Sequence, residues 1–281
     1  MVQSRGWLVY LTHGLLILGV VIVAFPIYVA FVASTHELEA LLRSPMPLLP
    51  GASLLENYGI ALSQGAKAVG APVWLMMLNS LVMAIGITFG KIAISLLAAF
   101  AIVYFRFRFR MLFFWMIFIT LMLPVEVRIL PTFEVAASLG LLNSYSGLIL
   151  PLIASATATF LFRQFYLTVP EELCEAAKID GAGPMTFFLR VVLPMSTTTI
   201  AALSVILFIF GWNQYLWPLI VTQDADMYTV VMGIQRMLRA AESVPEWNLV
   251  MMTTLLAMLP PVVVVVVMQK LFVKGLTETE K

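Results

Sequence analysis

Residues 73–105 read VWLMMLNSLVMAIGITFGKIAISLLAAFAIVYF, and this stretch decides the fold class. One charged residue, Lys91, interrupts it. A helix needs about 20 mostly apolar residues to cross the hydrocarbon core of a bilayer, and the stretch is far too long for a barrel strand. At about 1.5 Å per residue such a helix is longer than one bilayer thickness, so it must tilt or project into water. The stretch therefore predicts a transmembrane helix.

Further apolar stretches lie on both sides of this one. The chain is 62% hydrophobic and 11% charged, whereas about a quarter of the residues are charged in an ordinary soluble domain. Too little polar surface is left for a water-soluble fold. We predict an all-α integral membrane protein with one transmembrane domain over 1–281. The first apolar stretch is expected to remain as a span and not to be cleaved as a signal peptide. The predicted spans are about 12–34, 73–105, 111–131, 146–166, 195–221 and 247–270.

The basic residues predict the orientation of these six spans. An even number of spans places both termini on one side, and the segments on that side carry ten Lys and Arg residues against five on the other. The positive-inside rule then places both termini in the cytosol. The run Arg106-Phe-Arg-Phe-Arg110 is the strongest local anchor, and we interpret it as a topology signal. The outer side carries two larger loops, 34–72 and 223–246, and prolines at 45, 47 and 50 mark the first as rich in turns.

The cytosolic loop 168–194 carries helix signals of its own. Thr168 and Glu171 have the spacing of a capping box, in which each side chain bonds the backbone N–H of the other residue. Gly181 can adopt the left-handed conformation that ends a helix, and Pro184 suits the first position of the next one. We predict a helix, a tight turn and a second helix.

At this point the chain resembles a known family. EAAKIDGA at 175–182, followed by Phe187 and VLP at 192–194, is similar to the conserved loop of binding-protein-dependent ABC importer permeases. The resemblance implies the type I importer permease fold and a bacterial inner-membrane location. It also implies that the first loop helix docks on a cytosolic ATPase. The residues that this comparison assigns to ATPase coupling are Glu171, Glu172, Glu175, Ala176, Ala177, Asp180 and Gly181.

The resemblance extends to the branch of the family that imports carbohydrates. WNQYLWPL at 212–219 is similar to the fifth span of that branch, typified by the smaller maltose permease subunit. FFWMIFITLMLPVEVR at 113–128 and SATATFLFRQF at 155–165 look like permeases of sn-glycerol-3-phosphate importers. That similarity implies sn-glycerol-3-phosphate and glycerophosphodiesters as cargo, with maltose-like or other sugars as the alternative. It implies as partners a homologous second permease, two ATPase subunits and a periplasmic binding protein.

Enzyme chemistry is not expected in this chain. The sequence Gly86-Ile-Thr-Phe-Gly90-Lys91 lacks the spacing of a phosphate-binding loop, so a partner must use the ATP and Mg²⁺. Gly86 and Gly90 are better interpreted as a close helix contact. His13 and His36 are isolated in sequence, which predicts no metal site, and Cys174 is the single cysteine. No bound cofactor is expected.

A few polar residues within or beside spans are candidates for the substrate pathway. Arg128 could attract a phosphate dianion and lies beside Glu126, between Pro124 and Pro131, where we expect the helix to break. A structural ion pair is the alternative. Lys91 is expected to reach the interface or to contact a neighbouring span. Trp212, Asn213, Gln214 and Tyr215 either line the pathway or form an interfacial aromatic belt.

An ion-coupled secondary transporter is the alternative from another class. It would need carboxylates near the midplane and inverted repeats. The chain has one such carboxylate, Glu126, near the end of a span, and we find no repeat.

Overall fold

The computed structural model describes residues 6–120, 125–239 and 244–277, and all regular structure within these ranges is helical. Short 3₁₀ segments occupy Leu150–Leu152 and Ala225–Met227, and a π-helical segment occupies Phe188–Val192. The α-helices are α1 Gly6–Ser34, α2 Leu38–Leu41, α3 Leu54–Ser63, α4 Val73–Tyr104, α5 Arg110–Ile119, α6 Val125–Ser138, α7 Tyr145–Ile149, α8 Ala156–Thr168, α9 Glu171–Ile179, α10 Pro184–Phe187, α11 Leu193–Met195, α12 Thr197–Trp212, α13 Leu216–Val221, α14 Val230–Leu238 and α15 Trp247–Thr277.

Three helices are long and apolar enough to cross a membrane unaided: Trp7–Ser34, Val73–Tyr104 and Trp247–Gln269. Two further crossings are possible where a pair of helices meets at a bend, which gives up to five among the described residues, and α5 is a shorter apolar helix. The all-helical membrane architecture predicted from composition is therefore confirmed.

Two predicted spans are bent where the sequence indicated one continuous helix. The span 146–166 is bent by 49° between Tyr145–Leu152 and Ala156–Thr168. The Ser155 hydroxyl accepts a hydrogen bond from the N–H of Ala158 at 3.2 Å, so the second part begins with its own cap. The span 195–221 follows a 71° bend between Pro184–Met195 and Thr197–Trp212, and its helix stops again before α13. Neither span is a straight rod.

The predicted break between Pro124 and Pro131 is wrong as far as the structure describes that region. Residues 121–124 lie outside the described residues, but α6 runs from Val125 through Pro131 to Ser138. A proline removes one backbone hydrogen bond and often kinks a helix without ending it. The hydroxyl of Thr132 donates to the carbonyl of Arg128 at 2.7 Å within the same turn.

Contacts divide the chain into two compact units. The first comprises Met1–Trp74 and Gly233–Leu259. Its first long loop, predicted to be rich in turns, also contains the short helices α2 and α3. The buried Asn57 fixes that loop by donating to the carbonyls of Ser34 and His36 at 2.9 Å, and it accepts a hydrogen bond from Asn248 at 3.0 Å. Helix α1 is largely exposed in this unit, and 6% of its most apolar stretch is buried.

The second unit comprises Leu75–Met232 and Pro260–Lys281. Its second outer loop is anchored by Asn79, which is fully buried on α4. The Asn79 amide donates to the carbonyls of Asp226 at 2.8 Å and Tyr228 at 3.0 Å, and it accepts from the hydroxyl of Tyr145 at 2.7 Å. The prediction of one domain over 1–281 stays a prediction.

The predicted close contact at Gly86 and Gly90 is confirmed within the second unit. A Cβ atom at Gly86 would lie 2.6 Å from the Cδ1 atom of Ile149, and one at Gly90 would overlap the side chain of Ile153. Both isoleucines belong to the bent fourth span. Only glycine therefore allows α4 to approach it this closely.

Candidate functional site

The loop helix α9 begins at Glu171 and ends at a left-handed turn. Gly181 has φ 74°, as predicted. The N–H of Ala182 donates to the carbonyl of Ala177 at 2.8 Å, and the N–H of Gly181 donates to that of Lys178 at 3.1 Å. These two bonds form a Schellman motif, the arrangement that most sharply stops a helix. Pro184 opens the next helix, also as predicted.

The predicted capping box is wrong. Thr168 belongs to the last turn of α8, where its hydroxyl donates to the carbonyl of Phe165 at 2.7 Å. Its side chain is therefore engaged in the preceding helix. Helix α9 starts from Pro170, which provides no side-chain cap. Glu171 and Glu172 in its first turn remain favourable neighbours of the positive end of the helix dipole.

One face of α9 packs on the protein and the opposite face is exposed. Cys174 and Ala177 lie three residues apart and pack against the aromatic cluster described below. On the other side, Glu172, Glu175, Ala176 and Ile179 follow the spacing of a single helical face, and all four are exposed. Ile179 lies at the C-terminal end of this face and is 86% exposed. We call this set of four residues the outer face of α9.

Sequence reasoning missed Ile179. A large apolar side chain directed at water from an acidic helix is typical of a surface that a partner covers. Ile179 lies five residues from Cys174 and two from Ala177, away from the buried stripe. That spacing was the signal in the sequence that could have identified it.

The other predicted coupling residues lie close to the outer face. Glu171 and Asp180 are exposed at the two ends of α9, and Gly181 is exposed in the turn. Ala177 is half-buried and packs against the aromatic cluster on the opposite side of the helix. The loop thus presents six of its seven predicted coupling residues to the surroundings.

An aromatic cluster joins the loop to the end of α4. The rings of Tyr104 and Phe187 meet edge to face with centroids 5.3 Å apart, and those of Phe100 and Phe188 lie 4.9 Å apart. Tyr166 on α8 packs at 6.1 Å from Tyr104. Aromatic pairs in such geometries contribute about 0.5–1.5 kcal/mol each beyond the area they bury. Aromatic packing therefore fixes the loop to the end of α4.

The candidate pathway residues of the fifth span lie at the break between α12 and α13. Trp212 is buried and stacks on Phe208 at 5.9 Å, so it supports the break from inside. Asn213 is exposed, and the Gln214 amide donates to the carbonyl of Phe210 at 3.1 Å. Tyr215 is half-buried. A role for the four in lining a pathway stays a prediction.

Two cations singled out in the sequence lie in the second unit, Lys91 on the candidate span α4 and Arg128 on α6. Lys91 is 7% exposed, and its Nζ atom lies 3.7 Å from the centre of the Phe210 ring on α12, so the predicted contact with a neighbouring span is confirmed. Arg128 is exposed on α6. Neither side chain makes an ion pair with a residue in the described ranges. The side chain of Glu126 lies outside the described residues.

Potential metal ligands do not cluster in the described part of the chain. It contains no cluster of three His, Cys, Asp or Glu residues that could hold a metal ion. The two histidine rings bond backbone carbonyls: His13 contacts that of Val9 at 2.7 Å and His36 that of Leu49 at 2.9 Å.

Comparison with known proteins identifies the family. Residues 91–278 match the family described as "Binding-protein-dependent transport system inner membrane component". The chain is 58% identical, over the full length of both chains, to "sn-glycerol-3-phosphate transport system permease protein UgpE" of Escherichia coli (strain K12), and equally to the protein of that name from Salmonella typhi. A solved bacterial ABC transporter that imports alginate has the same fold, with a TM-score of 0.79, 19% identity and coverage of 96% of this chain and 99% of that one.

These similarities settle what kind of membrane protein this is. Such a component moves cargo without performing catalysis and works with an ATPase and a binding protein. The chain belongs to the binding-protein-dependent ABC importer permeases, the multi-pass inner-membrane components of these transport systems.

Proposed function

We propose that this permease imports sn-glycerol-3-phosphate and glycerophosphodiesters. The observation that carries the proposal is the 58% identity, without a gap in coverage at either end, to permeases named for sn-glycerol-3-phosphate transport. The match covers all 281 residues, including the candidate pathway residues and the loop 168–194. A maltose-like or other sugar is the competing cargo.

Two cations, Lys91 and Arg128, support an anionic cargo over a neutral sugar. Lys91 is buried in a candidate span without an ion pair among the described residues, and Arg128 adds a second positive charge on α6. Charge in a membrane span is costly and is retained where it serves a function. A phosphate dianion passing these residues would offset both charges through charge-assisted hydrogen bonds. A neutral sugar would offset neither.

The outer face of α9 supports a site for the ATPase. Acidic residues flank the exposed Ile179, so a partner with an apolar pocket and a basic rim would cover both. We place this face in the cytosol, as the distribution of basic residues predicts. Each of two homologous permeases, this chain and a different partner, would hold one ATPase subunit. ATP binding would then draw the two loops together and turn the pathway outward.

Transport assays on the assembled importer test the proposed cargo. The importer, with its binding protein, is reconstituted in proteoliposomes, and uptake of sn-glycerol-3-phosphate is compared with uptake of maltose. We expect ATP-dependent uptake of sn-glycerol-3-phosphate that persists when ion gradients are dissipated. Uptake of maltose alone would overturn the proposal that sn-glycerol-3-phosphate is the cargo.

Two matched substitutions test the docking face. Ile179→Asp lies on the outer face, and Leu189→Asp is an exposed apolar position beyond the turn. We expect Ile179→Asp to lose the ATPase subunit during purification and Leu189→Asp to retain it. Equal retention in both variants would remove the outer face from the proposal.

A further inference from the structure

A basic cavity lies between the end of α4, the start of α5 and the inner side of α9. Its volume is about 570 Å³, within the range of small-ligand sites. Polar side chains dominate its wall: Tyr104, Arg106, Arg110, Glu171 and Lys178. The outer face of α9 is turned away from it, so the cavity is separate from the proposed docking surface for the ATPase.

The charges in the wall of this cavity do not balance. Arg106, Arg110 and Lys178 supply three positive charges, and Glu171 supplies one negative charge. None of the three cations makes an ion pair with any residue that the structure describes. Three unpaired cations around one cavity repel each other, and an anion in the cavity would remove that repulsion.

A hydrogen-bond donor without a partner lines the same cavity. The hydroxyl oxygen of Tyr104 is buried and makes no hydrogen bond with the described residues. A buried polar group left unsatisfied costs about 1–3 kcal/mol. An oxygen atom of a bound ligand would accept this bond. Arginine in turn prefers the paired oxygens of phosphate and carboxylate groups.

The surroundings of the cavity favour a ligand at the membrane boundary. Phe105, Phe107 and Phe109 alternate with the arginines and are all exposed. Aromatic residues next to basic ones are typical of the headgroup region. Basic pockets between spans on the cytoplasmic side bind the phosphates of anionic lipids.

We propose that the basic cavity binds a phosphate group, carried by an anionic phospholipid or by free inorganic phosphate in the cytosol. Arg106 and Arg110 hold the phosphate oxygens, and the Tyr104 hydroxyl donates to one of them. This ligand would lie against the inner side of α9 while the ATPase occupies the outer face. The site is independent of the proposed cargo, because it lies at the end of α4 and Lys91 lies thirteen residues earlier on that helix.

Binding measurements on the assembled importer test this proposal with a matched control. The importer is placed in phosphatidylcholine nanodiscs. Phosphatidylglycerol is added from vesicles and counted by native mass spectrometry, and inorganic phosphate is titrated in a separate calorimetric arm. The variants are Arg106→Gln with Arg110→Gln, and Tyr104→Phe. The control is Arg108→Gln, since Arg108 lies between the two arginines but stacks on Phe109 at 4.9 Å and does not line the cavity.

We expect the double variant to weaken binding by about tenfold or more, Tyr104→Phe by about fivefold, and Arg108→Gln by less than about twofold. Binding of phosphatidylglycerol alone identifies a lipid site, and binding of phosphate alone identifies a cytosolic anion site. The proposal fails if neither probe binds, or if Arg108→Gln weakens binding as much as the double variant. If the double variant does not assemble, unchanged binding by Tyr104→Phe overturns the proposal, because that variant keeps the ring and loses only the donor.

Discussion

Replacing Gly181 with valine should uncouple transport from the ATPase without disturbing the packing around it. The residue has φ 74°, a conformation that a β-branched side chain disfavours strongly. A Cβ atom at this position would meet no other atom within 4 Å, so steric overlap with neighbours contributes nothing. The cost is the backbone strain alone, about 1–3 kcal/mol.

Relief of that strain would break two hydrogen bonds. Relaxing the φ angle of residue 181 to a negative value breaks the bonds from Ala182 to Ala177 and from Gly181 to Lys178, which end α9. Ile179, at the last position of the helix, then loses its fixed orientation. A cost of about 1–3 kcal/mol lowers the population of the intact turn by about fivefold to 150-fold relative to its alternatives.

The assay is cargo-stimulated ATP hydrolysis by the importer in proteoliposomes, together with retention of the ATPase subunit during purification. We expect Gly181→Val to lower stimulated hydrolysis by at least about fivefold. Gly183→Val is the matched control. Gly183 has φ −69° and ψ 163° and precedes Pro184, a conformation that valine accepts, and its Cβ would also meet nothing.

Gly181→Asn provides a graded variant, because asparagine tolerates the left-handed region better than valine does. We expect an intermediate loss of stimulated hydrolysis. If Gly181→Val and Gly183→Val gave the same hydrolysis and the same retention, the geometry of the turn would not matter to coupling and the reasoning would be refuted.

Three further substitutions probe other parts of the second unit. Arg128→Ala should raise the KM for sn-glycerol-3-phosphate about tenfold in reconstituted uptake, because a charge-assisted contact is lost; an unchanged KM would remove Arg128 from the pathway. Asn79→Leu should destabilise the purified importer by about 1–3 kcal/mol for each buried carbonyl left unsatisfied, and thermal unfolding measures this loss. Asn213→Leu, at an exposed position, is the control and should change the stability by less than about 0.5 kcal/mol. Gly90→Leu should lower the stability of the importer by about 1–3 kcal/mol, because the new side chain overpacks against Ile153. Gly19→Leu, where no atom lies near the Cβ position, should not lower it. Equal melting temperatures of the two variants would contradict the close contact.

Features set by neighbouring residues along the chain could be predicted from the sequence. The stop at Gly181 and the start at Pro184 depend on the φ angles that glycine and proline permit, and both were predicted correctly. The close approach at Gly86 and Gly90 follows from the absence of a side chain, although the identity of the facing residues does not.

Features set by distant contacts could not be predicted in this way. The bend before Ser155 lies within a segment that is apolar on both sides of it, so hydropathy alone gives no signal of it. The capping box failed because the Thr168 hydroxyl had a competing acceptor one turn earlier, in a helix that runs two residues beyond the predicted span. The uncapped start of α9 depends on where α8 ends.

The aromatic cluster has a mechanical consequence for the importer. Tyr104 is the last residue of α4 and packs on Phe187 just beyond the α9 turn, so displacement of the loop is transmitted directly into a long, continuous helix. Lys91 lies thirteen residues earlier on that helix, about 20 Å along its axis. The contact with the loop and Lys91, which we propose to face the cargo, thus belong to one continuous helix, and no separate element is needed to connect them.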